Sequence, residues 1–329
     1  MILLFVTIPT HSMVAFDKLE GLVFQNGCSI YRHLGTVRTL PGRNCILLAD
    51  GSFLSASETN LRRIGSTGNV LWEVGGRFHH QFNVTSAQDF ILLLDSEIRE
   101  GVRSDVLVKM SIDGKTIARV PAEKLMAQVG LKEGVPTPFT LPSGQVIHEA
   151  THFNGIIEIS QTPEQRPPYL QKKNVMANAA GLGFFILTPD LSKVLHYQRF
   201  LTSNNHSVHD LQLTHRGDYL FFNNDVSRNG AKRSGFEIIS SRNGKTLLLR
   251  YAPSDYFYSP FMGSVQMLDD ELFLMGHAYN GAYLVNPVKG KILKTFPGTY
   301  GDGKVFLPTF EVRLIRNSER LPMGGYISD

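Results

Sequence analysis

The stretch HEATHFNGIIE, residues 148–158, admits two interpretations that lead to different folds. As H-E-x-x-H-x-x-G it is the helical zinc signature of metallopeptidases, with His148 and His152 as ligands and Glu149 as general base. As H-x-N followed by an apolar run, it is the start of a β-strand that projects the His152 imidazole and the Asn154 carboxamide from its end. The zinc site needs a helix, because only there do residues four apart share a face one turn apart. In a strand the same two residues stand roughly 13 Å apart and cannot hold one ion. The flanks SGQVI (143–147) and FNGIIEIS (153–160) are β-branched and punctuated by Gly, and the position of a third metzincin ligand falls on Glu158. The strand is therefore preferred, and no metal is expected.

Internal repeats carry the same choice through the rest of the chain. STGNVLWEV (66–74), IDGKTIARV (112–120), DLSKVLHYQ (190–198), SRNGKTLLLR (241–250) and PVKGKILKTF (287–296) share a tight turn running into a strand. The turn slot is held by Gly68, Gly114, Ser192, Gly244 and Gly290. Most of these lie about 45–50 residues apart, the size of a four-stranded propeller blade. The longer interval after Gly114 holds an insertion at about 121–145, with a short helix expected in PAEKLMAQVGLKEG (121–134).

A second register precedes the turns. HQFNVTSAQDFILLLD from His80 and HDLQLTHRGDYLFFNN from His209 each place Asp nine residues on (Asp89, Asp218), then an aromatic, then an apolar strand. GSVQMLDDELFLMGH (263–277) repeats the outline with Gly263 in the His slot. Inner strands of a propeller face one channel, so His80, His152 and His209 are expected around a single pocket. The fold class expected is all-β: one β-propeller domain over 17–329, with six four-stranded blades (seven the alternative). The last blade would be closed by pairing residues near 19–34 with KVFLPTFEVRLI (304–315).

Composition limits the function classes. The chain of 329 residues is 42% hydrophobic and 19% charged, with a net charge of +4. No basic run with interleaved aromatics speaks for nucleic acid. Residues 1–16 are either a secretory signal ending near Ala15 or an apolar strand, and Pro9 and His11 break them as a stable membrane span. A signal implies a periplasmic or secreted protein, a strand a cytoplasmic one. Cys28 and Cys45 form no CxxC, so they are either a disulfide of an exported protein or two buried thiols.

The blade-start motifs FHHQFNV, THFNGI, HSVHDLQLTHRGDYLFFNND and GSVQMLDDELFLMGHAYNGAYLVNP, with the GNVLWEV-type blade ends, resemble the bacterial arylsulfotransferase family of six-bladed propellers. The resemblance spans about residues 40–296. It implies transfer of a sulfuryl group from an aryl sulfate ester to a phenolic acceptor through a sulfohistidine, with no cofactor and no nucleotide sulfate donor. By the same resemblance His209 is the nucleophile, His80 and His152 are catalytic partners, and Asn154 binds the sulfuryl oxygens. His79, which alternates to the opposite strand face, and His206, three residues before His209, complete the candidate substrate-binding set. The family's Arg slot falls near Asn178–Ala179, and no Arg stands there. The competing expectations are a non-catalytic propeller binding a small anionic or aromatic ligand and, third, the zinc peptidase through His148, Glu149 and His152.

Overall fold

The computed structural model describes residues 23–26, 29–32, 35–39, 44–57, 59–132, 137–140, 146–160, 167–199, 208–224, 234–251, 263–269, 272–277, 281–286, 291–296 and 312–315. Residues 1–16, Cys28, His206 and Gly290 lie outside them.

The protein is an all-β propeller. Its strands fall into sheets in nearly strict chain order. One sheet pairs β1 (Val23–Asn26), β2 (Ser29–Arg32) and β3 (Gly35–Thr39) with β26 (Val312–Ile315) from the other end of the chain. The next holds β4 (Asn44–Leu47), β5 (Phe53–Ala56), β6 (Asn60–Ile64) and β7 (Val70–Gly75). A larger sheet holds β8 (His79–Val84), β9 (Phe90–Arg99), β10 (Val102–Ser111) and β11 (Thr116–Pro121). Then come β14 (Phe153–Glu158), β15 (Val175–Ala179), β16 (Gly183–Leu187) and β17 (Val194–Arg199). These are followed by β18 (Val208–Leu213), β19 (Tyr219–Asn223), β20 (Gly235–Ile239) and β21 (Thr246–Tyr251). The last run is β22 (Ser264–Asp269), β23 (Leu272–His277), β24 (Gly281–Asn286) and β25 (Lys291–Phe296). Five sheets are thus built of consecutive strands, and the remaining one joins the two ends of the chain.

Uniform four-stranded blades are not what forms. The insertion after β11 contributes α1 (Ala122–Gln128), shorter than the 121–134 expected, and a hairpin of β12 (Thr137–Thr140) and β13 (Val146–Glu149). Strand β13 runs parallel to the start of β10, pairing Val102 with His148 and Arg103 with Glu149, so this sheet has six strands. Helix α1 buries Ala122, Leu125 and Met126 in the core shared by this sheet and the next. HEATHFNGIIE is therefore the end of one strand, a short link and the start of another. The helix that the zinc signature requires is not formed, and His148 is exposed.

The core of the described residues lies between neighbouring sheets, with apolar side chains from adjacent sheets meeting in layers. Leu54, Phe82 and Leu93 fill one interlayer, and Leu107, Phe153 and Phe185 the next. Phe184, Tyr219 and Phe221 fill the third, and Phe222, Phe236 and Phe273 the fourth. Strands β4, β8, β14, β18, β22 and β26 pack each beside the next, so these are the inner strands. Polar side chains stitch them. Asn83 Nδ2 donates to Ile156 O at 2.7 Å, Asn154 Nδ2 to Val208 O at 2.8 Å, and Val265 N to Asp210 Oδ2 at 2.8 Å. Each such bond satisfies a buried backbone group that the ladder leaves free.

The repeated turn is visible in backbone conformation. Gly114 has φ 86 and its N–H bonds Ser111 O at 2.9 Å. In DLSKVLHYQ the slot is not at Ser192, as the sequence spacing suggests, but at Leu191, with φ 65. The loop there is one residue longer: Thr188 N reaches Lys193 O, whereas Ser111 N reaches Lys115 O. Asp190 Oδ1 accepts from Ser192 N and Oγ and steadies the extra residue.

Candidate active site

The site lies where the starts of β8, β14 and β18 meet the start of β10 and the end of β13. His80 enters from an irregular stretch of β8. There the step from His79 to Asn83 is matched on β9 only by the step from Leu94 to Leu92. The bulge puts His80 at φ 56, a left-handed conformation that costs a residue with a Cβ on the order of 1 kcal/mol. His152 sits in the link between β13 and β14. His209 is the second residue of β18, just before Asp210 at φ 51.

These three imidazoles come together. His80 and His152 have ring centroids 4.8 Å apart and Nε2 atoms 2.9 Å apart, so one nitrogen donates a proton to the other. His80 and His209 centroids are 5.6 Å apart. His209 is only 9% exposed, and its Nδ1 lies 2.6 Å from Asn224 Oδ1. A carboxamide oxygen only accepts, so Nδ1 carries the hydrogen and Nε2 keeps its lone pair. Burial pulls the His209 imidazole down to about 4, with the Asn224 bond opposing and His152 assisting. Burial also holds His80 well below the ordinary imidazole value, and electrostatic interaction with His152, His79, His209 and Arg103 lowers it further. Both rings are therefore neutral at pH 7.

The other candidates divide. His79 turns away from the cluster: its Nε2 is 3.1 Å from Asp105 Oδ1 and 3.2 Å from Asp95 O. Asn154 is 2% exposed, and its amide nitrogen is used in the stitch to Val208 O, while its Oδ1 is buried without a hydrogen-bond partner. His206 lies outside the described residues. The slot of the expected arginine holds Asn178, fully buried, which donates from Nδ2 to the same Val208 O at 2.9 Å.

The cluster's guanidinium comes instead from Arg103 on β10. Its Nη1 is 2.8 Å from Glu149 Oε1, and Glu149 Oε2 is 2.9 Å from His152 Nδ1. Arg103 and Glu149 side chains are 11% and 10% exposed. Burial pushes the Glu149 carboxyl up, but the His152 bond and the charges of His152 and Arg103 bring it below its ordinary value. Beneath them Asp105 accepts the Phe153 N–H at 2.5 Å and fixes the link that carries His152. Sequence patterns alone single out neither Arg103, Asp105 nor Asn224. Glu149 is legible only as the base of a zinc motif, not as the partner of His152.

No protein-family model matches the sequence, and no curated protein matches it. Solved structures resemble the chain in fold. The WD40 domain of Pan2 from Neurospora crassa has 10% identity over 85% of this chain and 77% of that one, with a TM-score of 0.47. The WD40 β-propeller domain of Doa1 has 12% identity over 78% and 72%, with a TM-score of 0.47. A europium-containing methanol dehydrogenase has 10% identity over 79% and 69%, with a TM-score of 0.43. The likeness is one of strand architecture, and it is the chain's own sheet topology that makes the protein a β-propeller.

Proposed function

We propose that the protein is a nucleotide-independent sulfuryl-transfer enzyme that moves the group from an aryl sulfate to a phenol through His209. The observation that carries this is the Asn224-anchored, neutral imidazole of His209, which keeps an Nε2 lone pair beside two further imidazoles. In the first half-reaction His209 Nε2 forms a bond to sulfur, and the sulfur–aryl oxygen bond breaks with its electron pair going to that oxygen. The His80–His152 pair, linked Nε2 to Nε2 and carrying one proton beyond those of two neutral rings, gives that proton to the departing phenolate and is left neutral. In the second half-reaction a phenol oxygen attacks sulfur, the N–S bond breaks, and the phenol's proton returns to the His pair. The sulfuryl oxygens take hydrogen bonds from imidazole N–H groups in a water-poor pocket, where such donors act most strongly. The disulfide at Cys45 fits an exported, periplasmic or secreted chain. Incubation with 4-nitrophenyl sulfate, quenched and read by intact mass, is expected to add about 80 Da, one sulfuryl group, to the wild type and nothing to His209→Asn. A second function is favoured by one observation: Arg103 is already engaged by Glu149, which suits a pocket that binds an aromatic anion without cleaving it. Saturable binding of 4-nitrophenyl sulfate with no adduct would establish that function instead.

A further inference from the structure

The site contains a part-buried chain of groups that sulfuryl transfer to His209 does not by itself require. Arg103 Nη1 holds Glu149 Oε1 at 2.8 Å, Glu149 Oε2 holds His152 Nδ1 at 2.9 Å, and His152 Nε2 meets His80 Nε2 at 2.9 Å. The Arg103–Glu149 contact is not a chance meeting of long side chains, because the two residues are register partners across the parallel β10–β13 ladder. That ladder exists only because the insertion after β11 returns to the sheet.

We infer that Glu149 is a positioning residue that fixes His152 with its hydrogen on Nδ1, so that the Nε2-to-Nε2 link with His80 delivers a proton to the leaving oxygen. This rests on the transfer chemistry proposed above. An ionised carboxylate can only accept, so the Nδ1 facing Glu149 must carry hydrogen. His152 Nε2 then either accepts from His80 or, once the ring gains a proton, donates to it. Arg103 keeps Glu149 ionised and pins its second oxygen, so the carboxylate cannot rotate away. One proton moves per transfer: the pair starts with one proton beyond those of two neutral rings, His80 gives its Nδ1 hydrogen to the aryl oxygen as the S–O bond breaks while the His152 Nε2 hydrogen passes to His80 Nε2, and the incoming phenol's proton reverses both moves. Asn cannot replace Glu149 in this role, because its shorter side chain does not reach. Gln reaches but is uncharged and can offer either its oxygen or its nitrogen to Nδ1, which frees the tautomer.

The titratable and charged groups around His152 are His80 from β8, Glu149 from β13 with Arg103 of β10 behind it, and His209 from β18. Leaving-group dependence separates a proton donor from a structural support. The full chain would be assayed with 4-nitrophenyl sulfate, whose phenolate needs no proton, and with phenyl sulfate, whose phenolate does. Glu149→Gln is expected to slow transfer from phenyl sulfate about 10²-fold and from 4-nitrophenyl sulfate no more than about threefold. Long-range nitrogen–proton NMR on the ¹⁵N-histidine-labelled wild type, needing no variant, is expected to show His152 protonated at Nδ1 at pH 7. A bare Nδ1 in the wild type, or equal slowing of both donors in Glu149→Gln, overturns the relay while leaving the sulfohistidine chemistry in place. A wild type that transfers from neither donor overturns the sulfuryl function and the relay's role in it together.

Discussion

The entrances of β8 and β18 look alike in sequence and differ in what they present. In both, a histidine is followed by a residue forced to positive φ: His79 before His80 at φ 56, and His209 before Asp210 at φ 51. At β18 the first histidine faces the cluster, and the left-handed Asp210 accepts the Val265 N–H of the next blade. At β8 the roles are exchanged. The first histidine is tied to Asp105, and the left-handed His80 supplies the imidazole. The cause is bulge length. From His79 to Asn83 is four steps against two on β9, whereas from His209 to Gln212 is three against two on β19. One extra residue moves the functional side chain by one position along the strand. A propeller can thus keep its blades in register while choosing which residue of an entrance faces the channel.

The widest separation between the two entrances should come from the histidines in the shared slot. His209→Asn is expected to cut transfer by about 10⁴-fold or more, as loss of a nucleophile does. His79→Asn should keep the sulfated intermediate and instead lower stability by about 1–3 kcal/mol, by weakening the support of buried Asp105. Intact mass and urea unfolding of both variants decide this, and loss of the adduct in His79→Asn alone would reverse the assignment of the two slots.

The left-handed residues give the next contrast. His80→Gly relieves backbone strain and removes the proton donor to the leaving oxygen, so transfer from phenyl sulfate should fall about 10²–10³-fold with stability held or raised by up to about 1 kcal/mol. Asp210→Gly relieves the same strain but frees the Val265 N–H, and it should destabilise by about 1–3 kcal/mol. Paired urea midpoints read the opposite signs.

The last contrast is the dependence on acidity. His209 is lowered from 6.5 to about 4 in the folded chain, so between those values the unfolded chain binds the extra proton. Stability should therefore fall as pH falls through that window and level off below it, with His209 contributing on the order of 3 kcal/mol. His80 adds in the same direction. Urea midpoints at pH 7 and pH 4.5 should differ in the wild type and differ less in His209→Asn.

The sequence exposes the propeller because its signals are local: a turn, a strand of alternating or apolar residues, and the same again. The meeting of His80, His152 and His209 is legible for the same reason, since inner-strand starts converge in any ring of blades. Two things stay hidden. Counting nine residues back from Asp89 and Asp218 aligns His80 with His209, but backbone conformation aligns His79 with His209, because a bulge leaves no mark in spacing. The Arg103–Glu149 pair is invisible because parallel β10 and β13 are joined through α1 and a long insertion, with no turn between them to announce the pairing. Asn154 shows the converse. Its H-x-N motif draws attention to chemistry, while its amide is spent holding β14 to β18.

The pairing of Val23 with Ile315 and of Asn26 with Val312 has a consequence for how the chain is made. Nearly every other ladder links strands that are close in sequence and can form as soon as both are synthesised. Among the described residues this one joins the first strand to the last, so it closes the longest loop of the described ladders and must come late. Until β26 arrives, β1 keeps an open edge, and an open edge is a template for another molecule's strand. Ring closure is thus the slow, concentration-sensitive stage of assembly, and the final strand acts as a self-capping group against polymerisation.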